Sequence, residues 1–197
     1  MFNLFKEFTE ALIMAVIAFS LLQVTIQNFK VEGSSMSPTI NSNDYVTVNK
    51  LAYLEVDVAR LSSLIPFWDG ADKAEIFVFR PGGHRRGDIV VFRFPHNPQR
   101  NFIKRVIALP GEKVAIEGGI VYINNKILDE PYLEKPFPNE SVSFKILAED
   151  EFFVMGDNRS FSNDSRHWGA VAQEDIIGIK WMDYSLPFDL GLVKQTE

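Results

Sequence analysis

A serine-rich stretch near the start of the chain offers the first residue that could do chemistry. Residues 33–39 read Gly-Ser-Ser-Met-Ser-Pro-Thr and follow a long apolar run by a few positions. Within this stretch Ser35 is the candidate nucleophile. A serine hydroxyl attacks poorly at neutral pH unless a base lies within hydrogen-bond reach of it. The stretch therefore predicts a partner base elsewhere in the chain.

Lys104 is the candidate base. It belongs to the strand-like segment 102–108, among Ile103, Val106 and Ile107. Burial among apolar groups disfavours the ammonium form and lowers a lysine pKa by up to about 3–5 units, which gives a neutral amine able to accept a proton. A solvated lysine at a strand edge, where it guards against aggregation, is the alternative. Spacing along the chain does not separate the two interpretations.

A dense polar loop over residues 156–169 is the third candidate element. It holds Asp157, Asp164, Arg166 and His167 together with serines, asparagines and a second arginine. Such a loop can be a turn network, because Asp, Asn and Ser hydrogen-bond nearby backbone groups. It can also support a site, with hydroxyls that orient an amine and Asp–Arg pairs that hold the scaffold. A third arrangement is a Ser-His-Asp triad of Ser35, His167 and either aspartate.

Composition excludes several classes of function. The net charge of −6 argues against a nucleic-acid partner, because phosphate binding draws on a basic surface. The chain has no cysteine, which excludes disulfides, thiol catalysis and cysteine zinc sites. His84, His96 and His167 lie far apart without the spacing of metal ligands. We therefore expect neither a metal nor a cofactor.

The apolar run before the serine stretch predicts a membrane anchor. No residue from Ala11 to Phe29 is charged, and a helix of this length spans roughly 28 Å, close to the thickness of the bilayer core. A cleaved signal peptide is disfavoured, because the run ends in Gln27-Asn28-Phe29-Lys30 and no cleavage site of the A-x-A kind follows it. A buried core helix is the other alternative. The predicted organisation is a tail and single transmembrane anchor over 1–29, followed by one domain over 30–197.

The rest of the chain has the texture of β-structure. Short segments rich in Val, Ile, Phe and Tyr alternate with Gly, Pro and Asn turns, and no helical repeats lie between them. This pattern predicts a mostly β fold, with an antiparallel, barrel-like or sandwich-like catalytic domain. Residues 51–86 differ in composition and predict an inserted excursion. The predicted strands are 44–48, 88–94, 102–108, 113–116, 120–123 and 151–155.

Four segments in this order resemble the sequence boxes of bacterial type I signal peptidases. They are residues 33–39, 86–92, 104–112 and 156–169, and the anchor precedes the first of them, as in that family. The resemblance implies a membrane-bound serine protease with a Ser–Lys dyad that removes signal peptides from exported preproteins. It also implies a single-pass protein in the lipid bilayer, with the catalytic domain on the trans side, extracytoplasmic or lumenal.

The same resemblance implies roles for individual residues. Ser35 matches the nucleophile, Lys104 the general base and Ser162 the hydroxyl that orients the lysine. Met36 and Ile103 flank the reacting pair and are expected to contact substrate. The supporting polar residues are Asp157, Arg105, Asp164 and Arg166.

The chain departs from the family pattern in two places. Some members carry a serine where this chain has Gly33, and its hydroxyl assists the oxyanion hole. The second oxyanion donor is therefore open between another backbone group and Ser34. An Asp-Asn pair is common where this chain has Ser160 and Phe161, which keeps Ser165 as a substitute candidate for Ser162.

Three other functions are weighed against this one. A membrane-anchored hydrolase with the His167 triad predicts that replacing His167 abolishes turnover. A self-cleaving repressor-like protein with a Ser–Lys dyad is disfavoured by the anchor and by the lack of a DNA-binding segment. An anchored β-domain for adhesion or assembly predicts that Ser35→Ala leaves all function intact.

Overall fold

The computed structural model describes residues 2–50, 55–56, 77–78, 84–133, 139–185 and 194–196, and it is mostly β, as predicted. The helices and strands are α1 (Phe2–Thr25), β1 (Ile26–Val31), β2 (Tyr45–Asn49), β3 (Glu55–Val56), β4 (Phe77–Val78), β5 (Ile89–Phe94), β6 (Asn97–Ala108), β7 (Lys113–Glu117), β8 (Ile120–Ile123), β9 (Lys126–Ile127), β10 (Val142–Ile146), β11 (Glu151–Met155), α2 (Ser165–Trp168), β12 (Val171–Ala172), β13 (Ile176–Tyr184) and β14 (Lys194–Thr196).

Three sheets organise the described strands. The largest has eight strands in the order β12-β11-β6-β5-β13-β2-β1-β14. Its neighbours are antiparallel apart from the parallel pair β1 and β14. A second sheet has the order β10-β7-β8-β9, and β3 pairs with β4 in a small third sheet. The predicted antiparallel architecture is confirmed.

The six predicted strands are all present, and their turns explain the hairpins of the second sheet. Gly118 and Gly119 join β7 to β8, and Asn124 and Asn125 join β8 to β9. All four have positive φ, between 50° and 88°. Two consecutive residues with positive φ form the tight turn whose twist matches that of a hairpin, and Gly and Asn adopt this backbone most easily.

Strand β6 is an interior strand of the large sheet. It pairs with β5 along one edge and with β11 along the other near its C-terminal end. Its burial is continuous over 102–104 and 106–108, because apolar residues cover both faces of the sheet. Ile103 packs in a cluster with Phe29 and Met36, and Phe102 packs in a different one with Phe92. The central part of β6 is therefore held rigidly on both sides.

The N-terminal helix ends earlier than the apolar run predicts. Helix α1 ends at Thr25, and the last four residues of the run, 26–29, belong to β1. They pair with β2, and Phe29 and Val31 are buried in the core, which offsets the loss of helical hydrogen bonds. The prediction of a helix through Phe29 is wrong at its C-terminal end. Across the described residues, no helix has both the length and the hydropathy that crossing a bilayer requires.

The predicted excursion over 51–86 lies largely outside the described residues. Within it, Glu55–Val56 pairs with Phe77–Val78 in an antiparallel manner, and the description resumes at His84.

Candidate active site

A tight turn after β1 presents Ser35. The amide of Ser37 donates to the Ser34 carbonyl at 3.1 Å, and the amide of Ile40 donates to the Met36 carbonyl at 3.0 Å. Met36 and Ile40 are fully buried on either side of this turn and fasten it to the core. Ser35 itself is half-buried, so its hydroxyl is held in place and remains accessible.

Strand β6 brings Lys104 to the serine. Lys104 Nζ lies 2.8 Å from Ser35 Oγ and donates to the Ile103 carbonyl, also at 2.8 Å. The ammonium group lies 5.3 Å from the centre of the Phe102 ring. Because the lysine is only 2% exposed, water does not solvate its charge. The alternative of a solvated edge lysine does not describe this side chain.

The surroundings of Lys104 make its ammonium a stronger acid than usual and so favour the neutral amine. Burial lowers the pKa of Lys104 from 10.5 to about 8, against the charges of Asp164 and Asp157, which raise it. The effect of desolvation on the pKa is larger than that of the two charges, because neither carboxylate hydrogen-bonds the amine among the described contacts. Near neutral pH a useful fraction of the lysine is then unprotonated and can accept the serine proton.

Arg105 points to the opposite side of β6 and forms an ion pair. Its Nε and Nη2 donate to the two oxygens of Asp157 at 2.8 and 2.6 Å, and Nη1 donates to the Gly87 carbonyl at 2.7 Å. The guanidinium also lies 4.0 Å from the centre of the Tyr132 ring. Burial opposes the charge, but the hydrogen bonds and charge of Asp157 outweigh it and raise the pKa of Arg105.

Asp164 organises the polar loop from within. It is fully buried and caps α2 by accepting from the Arg166 amide. Its oxygens also accept from the Gly156 amide at 3.0 Å and from Arg166 Nε at 2.8 Å. Arg166 then donates to the Arg159 carbonyl at 2.7 Å and to Glu140 at 2.8 Å. The loop is thus cross-linked by charge-assisted hydrogen bonds, which are the stronger kind.

Gly156 lets the loop approach the nucleophile closely. A Cβ atom at this position would lie less than 3.0 Å from Ser162 Oγ and from the Ser35 carbonyl oxygen. Ser162 is buried, and its Oγ has no hydrogen-bond partner within the described part of the chain. The structure therefore places Ser162 beside the turn that carries Ser35. Its contact with Lys104 stays a prediction.

Asn158 connects the polar loop to the serine turn. Its amide donates to the Ser35 carbonyl at 3.0 Å, and its Nδ2 donates to the Ser34 carbonyl at 3.1 Å. A second link comes from Thr39, whose Oγ1 donates to Asp157 Oδ2 at 2.5 Å. The serine turn is therefore fixed by the same loop that pairs with Arg105.

Several of these partners carry no role in the sequence-based prediction. Asn158 was visible in the polar loop, but nothing in the sequence links it to a turn more than a hundred residues earlier. The others are an acidic residue that pairs with Arg159, an acidic residue that pairs with Arg166, and an aromatic ring against Arg105: Glu130, Glu140 and Tyr132.

An open cleft of about 410 Å³ adjoins the serine and the lysine. Its lining includes Gly33, Ser34, Phe102 and Phe161, and Phe161 is 75% exposed. Met36 and Ile103, which were expected to contact substrate, are both buried in one apolar cluster. Their contact with substrate stays a prediction.

The histidine alternative finds less support in the geometry. His167 is exposed on α2, whereas Lys104 is within hydrogen-bond reach of Ser35. The two aspartates are engaged elsewhere, Asp157 with Arg105 and Asp164 with Arg166. In the described part of the chain, no group of three His, Cys, Asp or Glu side chains is placed to hold a metal ion.

Comparison with known proteins supplies the family. Residues 4–184 match the family described as signal peptidase, peptidase S26. The chain is 34% identical over 181 residues to a probable signal peptidase I-2 of Synechocystis sp., covering 89% of this chain and 71% of that protein. It is 28% identical over 194 residues to signal peptidase IB of Staphylococcus aureus, covering 88% of this chain and 87% of that protein.

A crystal structure of a signal peptidase I from Enterococcus faecalis V583 is 33% identical in sequence, with a TM-score of 0.44 over 49% of this chain and 95% of that one. The sequence match alone spans nearly all of the chain. On that ground the chain belongs to the signal peptidase family, peptidase S26.

Proposed function

We propose that the chain is a signal peptidase I that removes N-terminal signal peptides from exported preproteins, with Ser35 as nucleophile and Lys104 as general base. Family membership supports the reaction, which is endoproteolysis by a serine. The observation that carries the assignment of residues is the 2.8 Å separation of Ser35 Oγ and Lys104 Nζ. The pKa of about 8 for that buried lysine gives the base its neutral form.

The reaction is acyl transfer in two stages. Neutral Lys104 takes the proton of Ser35 as its oxygen attacks the scissile carbonyl, and a tetrahedral intermediate forms. The resulting ammonium returns the proton to the leaving amine of the mature chain, which leaves an acyl-enzyme. The neutral lysine then takes a proton from water, whose oxygen attacks the ester. As the ester bond breaks, the lysine gives this proton to the departing Ser35 oxygen, which releases the signal peptide and restores both residues.

The negative oxygen of each intermediate requires fixed donors. We assign the backbone amide of Ser35 as one donor, and the hydrogen bond from Asn158 to the Ser35 carbonyl supports this by fixing that segment of backbone. Gly33 offers no hydroxyl as a second donor, so Ser34 or another backbone group takes that place. Removing one such donor typically costs about 10²–10³ in turnover.

The polar loop holds these groups in register. In this proposal Ser162 orients the lysine amine, and its burial beside Gly156 and the Ser35 carbonyl supports that role. Asp157 with Arg105, and Asp164 with Arg166, act as positioning residues through their paired hydrogen bonds. No cofactor is needed, because the serine supplies the nucleophile and the lysine moves every proton.

Substrate choice follows from the room beside the nucleophile. We propose that Met36 and Ile103 back the site that receives the substrate side chain before the scissile bond, so that only a small residue fits there. Alanine or glycine at −1 and small or modest aliphatic residues at −3 are then required. Efficient cleavage after phenylalanine or lysine would argue against a signal peptidase.

A membrane anchor completes the proposal, with the catalytic domain on the trans side of the bilayer. Its support is the uncharged run of α1 and the exposed apolar side chains on it: Phe8, Leu12, Ile13, Met14, Val16 and Phe19. Anchoring confines enzyme and substrate to one surface and raises their effective concentration. Flotation with liposomes tests this, because a variant without residues 2–24 should remain at the bottom of the gradient while the full chain floats.

One experiment tests the function itself. Purified full-length chain in detergent is incubated with a labelled preprotein, and mass spectrometry measures the released mature chain. We expect cleavage after the small residue at −1 by the wild type and none by Ser35→Ala. Equal cleavage by the two proteins would reject Ser35 as the nucleophile.

A further inference from the structure

A short strand late in the chain covers the free edge of β1. Strand β14 pairs with β1 in parallel, with Lys194 opposite Phe29, Gln195 opposite Lys30 and Thr196 opposite Val31. It forms the outermost position of the eight-stranded sheet, next to β1. The backbone groups on this edge of β1 are therefore taken by another part of the same chain.

The position of β14 relates it to both candidate catalytic residues. Val31, the last residue of β1, precedes Ser35 by a short connection that lines the cleft. Cα atoms of β14 also come within 8 Å of β6, the strand that carries Lys104. An extended segment at this place thus adjoins the strand leading to the nucleophile and the strand bearing the base.

The direction of β14 also matches the direction that a substrate would need. Because β14 is parallel to β1, it runs toward the end of β1 from which the chain continues to Ser35. A substrate strand laid in the same direction brings its later residues, and finally its scissile carbonyl, toward the serine. The residues of a preprotein that precede its cleavage site would therefore run as β14 does. Such pairing uses main-chain hydrogen bonds and accepts many sequences.

We propose that residues 194–196 are an internal competitor of the substrate, which a preprotein must displace from the edge of β1 before Ser35 can attack it. This inference rests on the proposed function and adds a means of regulation to it. The paired region is only three residues long, so β14 acts as a weak and reversible inhibitor. Its strength comes from being tethered, which places it near the cleft at an effective concentration on the order of millimolar.

Kinetic measurements on two variants test whether residues 194–196 compete with the substrate. One lacks residues 194–197, and the other carries Gln195→Pro in the middle of the paired segment, where proline, which has no backbone N–H and a fixed φ, disfavours pairing without shortening the chain. When the site is open in only a fraction of molecules, the apparent affinity falls by that fraction. We expect both changes to lower the KM for a preprotein by about 3- to 10-fold and to leave kcat unchanged.

A peptide with the sequence of residues 190–197, added to the truncated enzyme, should raise KM again without changing kcat. Lys126→Ala, an exposed substitution in β9, is the matched control and should keep the wild-type KM. The inference is overturned if truncation and Gln195→Pro both leave KM unchanged in an enzyme that cleaves. That result would leave the proposed function standing.

Hydrogen exchange gives a readout that does not depend on cleavage. In the full chain and the truncated form, deuterium uptake is measured on a peptide that covers residues 26–31. Faster uptake after truncation is expected, because β1 loses one of its two neighbours. Unchanged uptake would contradict the inference. If neither form cleaves any preprotein, the proposed function fails and the competitor role fails with it, whereas the uptake still reports whether β14 covers β1.

Discussion

The two faces of β6 shift the pKa of a cationic side chain in opposite directions. Lys104 lies on one face beside the Phe102 ring, 2% exposed, with a serine and a carbonyl as its neighbours. Arg105, the next residue, lies on the other face and is bound by both oxygens of Asp157. Burial lowers the pKa of the lysine, and on the other face the carboxylate raises the pKa of the arginine.

The comparison teaches that what surrounds a buried cation decides whether it works as a base. A carboxylate in contact with the amine would hold the proton on it, whereas an apolar ring does not. Asp157 is close enough to raise the pKa of Lys104, and its pairing with Arg105 offsets part of that charge. The arginine therefore limits the effect of the Asp157 charge on the pKa of the lysine.

The largest effect should follow from removing the proposed dyad. We expect Ser35→Ala and Lys104→Ala each to lower turnover to near background, a loss on the order of 10⁴-fold or more, and the double variant to be no worse. Lys104→Arg should be as inactive, because a guanidinium does not deprotonate in proteins. Ser42→Ala and Lys126→Ala, both exposed, serve as controls in the same preprotein assay. Clear activity in Lys104→Arg would end the lysine-base hypothesis.

A methyl group at Gly156 should be the next most harmful change. The added Cβ would displace Ser162 or the Ser35 carbonyl, and a shift of about 1 Å at a reacting group can cost about 10²-fold. Gly178→Ala is the matched control, because its Cβ would meet the Asn49 carbonyl as closely, within β13. We expect Gly156→Ala to lower kcat and Gly178→Ala to lower the melting temperature only. Equal kcat losses in the two folded variants would remove the special role of Gly156.

Replacing the lysine by an apolar residue should stabilise the fold. The pKa of Lys104 is about 8 when folded and 10.5 as its reference value, so the unfolded chain holds the proton more tightly. Wild-type stability should therefore rise from about pH 8 to about pH 10.5, and the burial cost is present in full below pH 8. Urea unfolding should show Lys104→Met more stable at pH 7 by up to about 3 kcal/mol, with a smaller difference at pH 10.5. A constant difference across this range would contradict the low pKa.

Changing Arg105 should give the smallest effect and probe the other face. Arg105→Gln leaves the charge of Asp157 uncompensated, which raises the pKa of Lys104. The acid limb of kcat/KM should then move to higher pH, with a few-fold loss at neutral pH, while Arg105→Lys should keep the limb nearer its wild-type position. A pH profile of the three proteins measures this. An unshifted limb in Arg105→Gln would show that Asp157 does not reach the lysine.

Local patterns predicted the strands of this fold better than the ends of its elements. Runs of β-branched and aromatic residues between Gly and Asn turns gave β5, β7 and β8 nearly to the residue. The run through Phe29 looked uniformly apolar, and hydropathy cannot register that its last residues pair with β2. Strand β13 was absent from the prediction. Its third residue, Gly178, weakens a strand pattern, yet the structure needs a glycine there because the Asn49 backbone passes close by.

The candidate site was predicted only as far as the motifs reach. Ser35, Lys104 and the polar loop were identified by residue type and by the order of their segments. Whether Lys104 was buried could not be read from its spacing, because both faces of β6 are apolar. The role of Asn158 depends on a contact across most of the chain, and single-sequence patterns contain no such distance.

The junction between α1 and β1 has a mechanical consequence. Thr25 is the last residue of the helix and Ile26 the first of the strand, and the Thr25 carbonyl is itself bound by the Lys50 amide at 2.8 Å. The helix therefore continues directly into the sheet, with no flexible linker between α1 and β1. The six residues of β1 extend about 20 Å. In the proposed anchored arrangement, the length of β1 would set the distance between the membrane surface and the bond that is cut.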